Sequence, residues 1–257
     1  MGGALLAGWL DRGFEAADVT IVEPNAAAVA WAAEKGVAVV ASADDIPASA
    51  APDVVVVAVK PQMTDAVVPA YARFAGTSLF LSIAAGRTLG YFEGLFGKEA
   101  AIVRAMPNTP ASVRRGMTVL CANAPVTAAQ RELSQSLLEA VSEVAWIEDE
   151  ALMDAVTAVS GSGPAYIFLL AESLAAAGVE AGLPEDLAQR LARVTVAGAG
   201  ELLHLADDTP AVLRQNVTSP GGTTAEALAV LMGDEGWQPV ITRAIAAAAR
   251  RSRELAG

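Results

Sequence analysis

Apolar residues along this chain change their period once. Up to residue 148 they come in short runs, at 19–22, 37–40, 54–59, 79–83, 101–104, 117–122 and 143–147, and each run predicts a strand. Helical patterns lie between several of them. The run Val54-Val55-Val56-Val57-Ala58-Val59 is apolar on both faces, as in a central parallel strand covered by helices on either side. Strands alternating with helices predict a doubly wound sheet. Beyond Ile147 no β-branched run long enough for a strand recurs, and an Ala-rich helical period takes over. Helices are predicted at 148–159, 164–182, 184–206, 209–216, 221–232 and 237–255. Pro164 and Pro184 suit first helical turns, and Gly182 suits the residue just past a helix end. Two domains follow, 1–148 and 149–257, without internal repeats, a disordered linker or a charge block.

The chain opens on a helix, Met1-Gly2-Gly3-Ala4-Leu5-Leu6-Ala7-Gly8-Trp9-Leu10, with no strand before it. From Gly2 it runs helix, strand 19–22, then an acidic residue, Glu23. That is the second half of a dinucleotide-binding βαβ unit, whose acidic residue lies about 20 residues past the glycines. The first strand and the two leading glycines of G-x-G-x-x-G belong upstream of Met1. The sheet is therefore expected to have an open place where that strand would sit, and a weakened hold on the cofactor.

Composition narrows the class. A length of 257 residues allows two domains with real cores, and the 54% hydrophobic share suits buried strands and close-packed helices. A net charge of -12, with no basic patch, argues against nucleic acid. Helix N-termini can still bind an anionic ligand locally. The single cysteine, Cys121, has no intramolecular disulfide partner, which fits a reducing compartment; it is expected buried and inert. No apolar run is expected to reach the ~18 residues of a membrane span, and the opening lacks the basic leader of a signal peptide. Leu6 rules out a myristoylation signal. The expectation is a soluble, cytoplasmic protein without membrane contact.

Four segments carry candidate chemistry. Ala58-Val59-Lys60-Pro61 leaves the buried strand at its carboxyl end, where ligands of open α/β sheets sit. Lys60 there reads equally as a phosphate or ribose contact and as an ordinary solvated lysine. Met106-Pro107-Asn108-Thr109-Pro110 offers an amide and a hydroxyl at the same sheet edge, or is a rigid turn. Ser160-Gly161-Ser162-Gly163-Pro164-Ala165-Tyr166 opens a long helix with small residues that let a ligand approach; the abutting Pro164 argues against a slack linker. Ser219-Pro220-Gly221-Gly222-Thr223-Thr224 opens another helix, with free N–H groups and two hydroxyls that suit a carboxylate, or that simply cap the helix. The lone His204, beside Leu202, Leu203 and Leu205, reads as filler, and Glu148-Asp149-Glu150 as a solvated helix start. One His and one Cys support neither a metal cluster nor a nucleophilic triad. The three lysines, Lys35, Lys60 and Lys98, all precede the helical domain. A hydroxy-acid dehydrogenase with a proton-exchanging lysine there fits poorly. Reduction of a C=N bond asks for less, because an iminium is already electrophilic and needs mainly positioning.

Together these segments resemble pyrroline-5-carboxylate reductases. The resemblance covers essentially the whole chain. It rests on Met1-Gly2 as the tail of the glycine fingerprint, 58–62, Ser82-Ile83-Ala84-Ala85-Gly86, 104–110 with Gly116-Met117-Thr118, 160–166 and 219–224, in that order and spacing. It implies a Rossmann-like doubly wound α/β sheet, here without its first strand, followed by an all-α dimerisation domain. It implies homodimers with intertwined helical domains that often assemble into decamers, and hydride transfer from NADPH or NADH to a small cyclic imine, 1-pyrroline-5-carboxylate, giving L-proline. By position, Thr224 matches the hydroxyl near the ring nitrogen. Gly221, Gly222 and Thr223, with Ser219 and Ser160, match substrate contacts, and Glu150 a position near the substrate that joins Thr224 as a catalytic candidate. Gly2, Ala58, Val59, Lys60, Pro61, Ala84, Ala85, Asn108 and Asn216 match cofactor contacts. Glu23 stands where ribose 2′ selectivity is set; a carboxylate accepts from a 2′-hydroxyl and repels a 2′-phosphate, so NADH is expected to serve at least as well as NADPH. Glu23 facing solvent is the alternative. Two other functions fit the same residues: a related two-domain imine or keto-acid reductase, and a nonenzymatic nucleotide-binding protein disabled by the missing strand.

Overall fold

The structure is a computed structural model that describes residues 1–256. The chain divides into two compact units, Met1–Gly161 joined by the chain from Ala249 on, and Ser162–Ala248. By packing, the break between the units comes after Gly161, 13 residues past the 148/149 boundary expected from the sequence. Residues 150–161 pack with the sheet rather than with the helices that follow, because Met153 is fully buried in a cluster with Ile102, Phe92 and Cys121.

The first unit begins with α1 (Gly2–Asp11), which buries Leu5, Leu6, Gly8 and Trp9 on one face, the spacing of a helix stripe. There follow β1 (Thr20–Val22), α2 (Ala30–Glu34), β2 (Ala38–Val40), β3 (Val54–Val57), α3 (Thr64–Val67), β4 (Leu79–Ser82), α4 (Leu89–Phe96), β5 (Ile102–Pro107), β6 (Gly116–Ala122), α5 (Ala128–Glu139), β7 (Ser142–Trp146) and the short α6 (Met153–Val156). All seven predicted strands are present. The helix expected at 148–159 is instead a 3₁₀ turn (Glu150–Leu152), α6, and a π turn (Thr157–Gly161).

Strands β1 and β2 form a two-stranded parallel sheet, with Ile21 opposite Val39. The other five run β3-β4-β5-β6-β7 in a separate sheet. Among the described residues no strand hydrogen-bonds the two sheets to each other, so β1, β2, β3 and β7 each pair on one side only. Neither sheet is cut adrift: Ile21, Val54 and Val56 all pack on the cluster of Leu5, Leu6, Trp9 and Ala32. One step departs from the parallel expectation. β5 and β6 are antiparallel, with Ala105 opposite Leu120. Only residues 108–115 join them, and a parallel crossover takes a dozen or more.

Helix α1 locks onto α5 and the turn that follows it. The Trp9 indole N–H donates to the Leu137 carbonyl at 2.7 Å. Gly8 lies so close that a Cβ there would stand 2.6 Å from Val141 Cγ1 and 3.1 Å from the Ala140 carbonyl. At Gly3 the nearest atom would be Trp31 Cζ2, at 3.8 Å. Gly3→Ala should therefore stabilise by ~0.5–1 kcal/mol through helix propensity alone. Gly8→Ala should show a net loss of about 1 kcal/mol, since overpacking outweighs the same gain. Urea midpoints of the two variants, measured side by side, check the opposite signs.

The second unit is helical: α7 (Gly163–Glu180), α8 (Glu185–Leu205), α9 (Pro210–Asn216), α10 (Thr223–Leu231) and the start of α11 (Trp237–Ala256). α7 and α8 form a hairpin whose turn uses Gly182 at φ +100°, a conformation that favours glycine. Gly178 lets the pair close, because a Cβ there would sit 3.3 Å from that of Ala188. Ala188 and Ala192 are the buried side chains of this unit, whereas Phe168, Leu169, Val194, Leu202, Leu205 and Val230 are all more than 59% exposed. Apolar surface on that scale marks a face that another surface covers. The stretch Glu150–Glu180 is long and apolar enough, by length and composition, to cross a bilayer, where none was expected from the sequence.

Candidate active site

In the first unit, the candidate cofactor residues gather where parallel strands end. Gly2 opens α1, and a Cβ on it would stand 3.2 Å from that of Ala58, just past β3. The first helical hydrogen bonds, from Ala4 and Leu5 to the Met1 carbonyl, leave the Gly2 and Gly3 N–H groups without a helical acceptor. Glu23 follows β1. Its N–H donates to the Val40 carbonyl at 3.0 Å, and its carboxylate accepts from the Asn25 N–H at 2.9 Å. That contact turns the carboxylate back toward the strand end.

Past β3, Ala58 and Lys60 are exposed and Val59 is half-buried. The Lys60 carbonyl accepts from the Met63 N–H and the Pro61 carbonyl from the buried Thr64 hydroxyl, so the Lys60-Pro61 turn is held by its own backbone. Past β4, the Ala84 N–H donates to the Ser82 hydroxyl, Ala84 is buried and Ala85 is exposed. Gly86 turns the loop at φ +72°.

Arg87 then ties this loop to the previous one. It donates to the Pro61 carbonyl at 3.3 Å and to Asp65 at 2.7 Å, and lies over the Tyr91 ring. The Tyr91 hydroxyl donates to the same Asp65 at 2.8 Å. The Tyr91 hydroxyl, with Arg87, holds the Asp65 carboxyl below its usual range. Burial, then the Asp65 contact, pushes the Tyr91 hydroxyl up.

Asn108, past β5, is a strut. Its amide donates to the Ser160 carbonyl and hydroxyl, both at 3.3 Å, and its carbonyl accepts from the Met117 N–H at 2.9 Å. Asn108 and Ser160, expected respectively as cofactor and substrate contacts, are thus brought together by one side chain. Both amide ends of Asn108 are engaged within the protein. At Gly161, at the end of the same π turn, a Cβ would lie 2.3 Å from Met106 Cε, so a side chain there would make the end of Met106 shift.

Glu150, expected near the substrate, is bound on both sides within its unit. Its Oε1 accepts from Arg104 Nη1 at 2.7 Å and from the Leu89 N–H at 2.8 Å. The Arg104 side chain is 6% exposed and that of Glu150 26%. Cys121 is buried on β6, opposite Arg104; burial, then Glu150, raises its thiol pKa, so it is a poor nucleophile.

In the second unit, residues 219–224 form one turn. Gly221 sits at φ +69° and Gly222 caps α10. The Gly222 N–H is already taken, donating to the Ser219 carbonyl at 3.0 Å. Thr223 and Thr224 occupy the first two positions of α10, where N–H groups have no helical partner. Of the expected carboxylate donors, Gly221, Thr223 and Thr224 therefore stay available, and Gly222 serves the turn. Asn216 ends α9 and is exposed, as is His204 on α8.

Arg104, Arg87, Asp65 and the Leu89 N–H were not among the expected site residues. Arg104 had a signal: a lone arginine between Val103 and Ala105 in a strand of apolar residues demands an acceptor. The Arg87–Asp65–Tyr91 group had none, since its members meet only when two loops do.

A nicotinamide dinucleotide fits these residues. A Cβ on the glycine at the start of α1 would crowd that of Ala58 at 3.2 Å, the first N–H groups of that helix face no helical acceptor, and a carboxylate follows β1. A nucleotide-binding sheet followed by a helical unit that opens one helix with glycines and threonines defines a two-domain nicotinamide-dependent oxidoreductase. Residues 150–255 match the family model for pyrroline-5-carboxylate reductase dimerisation, and residues 1–86 that for NADP oxidoreductase, coenzyme F420-dependent. The chain is 43% identical to the pyrroline-5-carboxylate reductase of Pseudomonas aeruginosa over 100% of its own length and 93% of the relative's. It superposes on a pyrroline-5-carboxylate reductase from Coxiella burnetii with a TM-score of 0.92 at 35% identity, covering 100% of this chain and 95% of that one. A Plasmodium falciparum pyrroline carboxylate reductase with NADP bound superposes at 0.81 and 29% identity, covering 100% and 95%. The chain belongs to the pyrroline-5-carboxylate reductase family.

Proposed function

We propose that the chain reduces 1-pyrroline-5-carboxylate to L-proline with NADPH or NADH, the final step of proline synthesis. The observation that carries this is the full-length likeness to reductases of that name, joined to the helix start at Ser219–Pro220–Gly221–Gly222–Thr223–Thr224. The nicotinamide, when bound, supplies the hydride that C5 of the imine accepts. The residues of the chain do the rest. Gly221 and Thr223 offer N–H groups, and the α10 dipole its positive end, to the substrate carboxylate. The Thr224 hydroxyl orients the ring nitrogen and hydrogen-bonds it as it becomes an amine. Gly2 and Gly3 at the start of α1 receive pyrophosphate, and Glu23 accepts from the ribose hydroxyls. Ser160 and Ser219 complete the substrate contacts, and Ala58, Val59, Lys60, Pro61, Ala84, Ala85, Asn108 and Asn216 those of the cofactor.

The exposed apolar helices of the second unit, and its match to a dimerisation model, support a homodimer with intertwined helical domains; further assembly to a decamer is what the family resemblance implies. The single cysteine supports a cytoplasmic location.

Pyrroline-dependent oxidation of NADPH, with proline as the product, tests the activity. A chain that binds nucleotide without turning over this imine would favour the nonenzymatic alternative, and turnover of a keto acid instead would favour the other. NADH is expected to match or exceed NADPH in kcat/KM. Glu23→Ser, which removes a charge that repels the 2′-phosphate, should move the preference about tenfold toward NADPH. A wild-type preference for NADPH would count against the role of Glu23.

A further inference from the structure

We propose that Glu150 is a positioning residue of the cofactor site: paired with Arg104, it holds the first N–H of α4, and through it sets the loop 83–88 that carries Ala84 and Ala85. The inference rests on the proposed nicotinamide contacts of that loop. The loop leaves β4 and must reverse before α4, and three groups hold it. At its start the Ala84 N–H is bound by Ser82; in its middle Arg87 reaches the Pro61 carbonyl and Asp65; at its end Thr88 caps α4 by accepting from the Tyr91 N–H at 3.1 Å. Another donor at the helix start is the Leu89 N–H, and Glu150 accepts it at 2.8 Å from a residue 61 positions away in sequence.

The carboxylate is not free to wander. Its Oε1 is also held by Arg104, whose guanidinium projects from β5, the strand next to β4. A charge so nearly buried keeps its partner because the alternative is an uncompensated ion. The chain of contacts therefore runs from β5 through Arg104 and Glu150 to Leu89, and so to the loop on which Ala85 is exposed. A helix start needs only a local cap, and Thr88 already supplies one. An acceptor brought from a segment distant in sequence and anchored by a buried arginine does something more: it fixes where the loop stands relative to β5.

Three forms of the full chain separate this from its rivals: wild type, R104M/E150Q and R104M/E150L. Both doubles remove the ion pair together, so neither leaves a buried unpaired charge. Only the glutamine retains an acceptor for the Leu89 N–H. The expected result is a cofactor KM, and a Kd from NADPH fluorescence titration, close to wild type in R104M/E150Q and raised about tenfold in R104M/E150L, with the loss falling on cofactor KM rather than on kcat. Equal cofactor affinity in the two doubles would overturn the proposal. So would a fall in kcat with cofactor KM unchanged, which would return Glu150 to the reacting groups. Amide exchange of the wild-type protein gives an answer that does not depend on a variant folding: NADPH should slow the segment 84–91, and no slowing overturns the proposal. If NADPH binds but pyrroline is not reduced, the proposed activity fails while the Kd comparison still stands. A wild-type chain that binds neither NADPH nor NADH overturns both.

Discussion

Replacing Thr224 with alanine is expected to lower kcat/KM for the imine by about 100-fold, with the cofactor Kd unchanged. The size follows from what the hydroxyl does. Thr224 is the second residue of α10, behind a turn shaped by Gly221 at φ +69° and capped by Gly222, so its place is set by backbone rather than by a mobile side chain. A hydrogen bond to the ring nitrogen strengthens as that nitrogen gains basicity on the way to the amine, which lowers the barrier more than it tightens binding. Thr224→Ser should recover most of the activity, since it keeps the hydroxyl. Thr223→Ala, which keeps the backbone N–H assigned to the carboxylate, should cost far less. Steady-state kinetics on the three variants checks the order. A Thr224→Ala enzyme within threefold of wild type would exclude the role.

Glu150→Ala alone should be the most destabilising surface-accessible change in the first unit, at about 3–5 kcal/mol. Most of that is not the value of the ion pair itself. Arg104 is 5% exposed on β5, and removing its partner leaves a guanidinium charge in the sheet with no compensation. Water reaches Glu150, at 26% exposure, more easily than Arg104, at 6%, so the variant should be rescued by R104M more than by added salt. Urea denaturation of E150A, R104M/E150L and wild type tests this, with the double variant expected within about 1–2 kcal/mol of wild type. Asp65 provides the contrast. It too pairs with an arginine and accepts a second hydrogen bond, but it faces solvent, and D65A should leave the midpoint nearly where it was.

The architecture was legible because its signals are local. β-branched runs of four residues or more, such as Val54-Val55-Val56-Val57, have little choice but to form a buried strand, and each predicted strand is found within a few residues of its expected bounds. The family, too, could be read from short motifs in a fixed order. What could not be read was which elements share a core. Residues 150–161 have a helical period that continues into α7, and nothing in that period says that Met153 packs in the cluster of Ile102 and Phe92, or that Gly161 lies against Met106.

The sequence by itself determined the order of elements, the class of cofactor and the two glycine-rich helix starts, because each depends on residues close together in the chain. Only the tertiary structure decided which partners the charged and polar side chains meet within the chain. The Asn108 carbonyl accepts from the Met117 N–H, and one oxygen of Glu150, Oε1, accepts from Arg104 and from the Leu89 N–H. Gly222, expected in the carboxylate cradle, spends its N–H on Ser219. The reason is physical. A buried strand is specified by its own apolarity, but a hydrogen bond needs a partner at under 3.5 Å in a given direction, and partners 61 residues apart, as Leu89 and Glu150 are, come within that reach only when the fold brings them there.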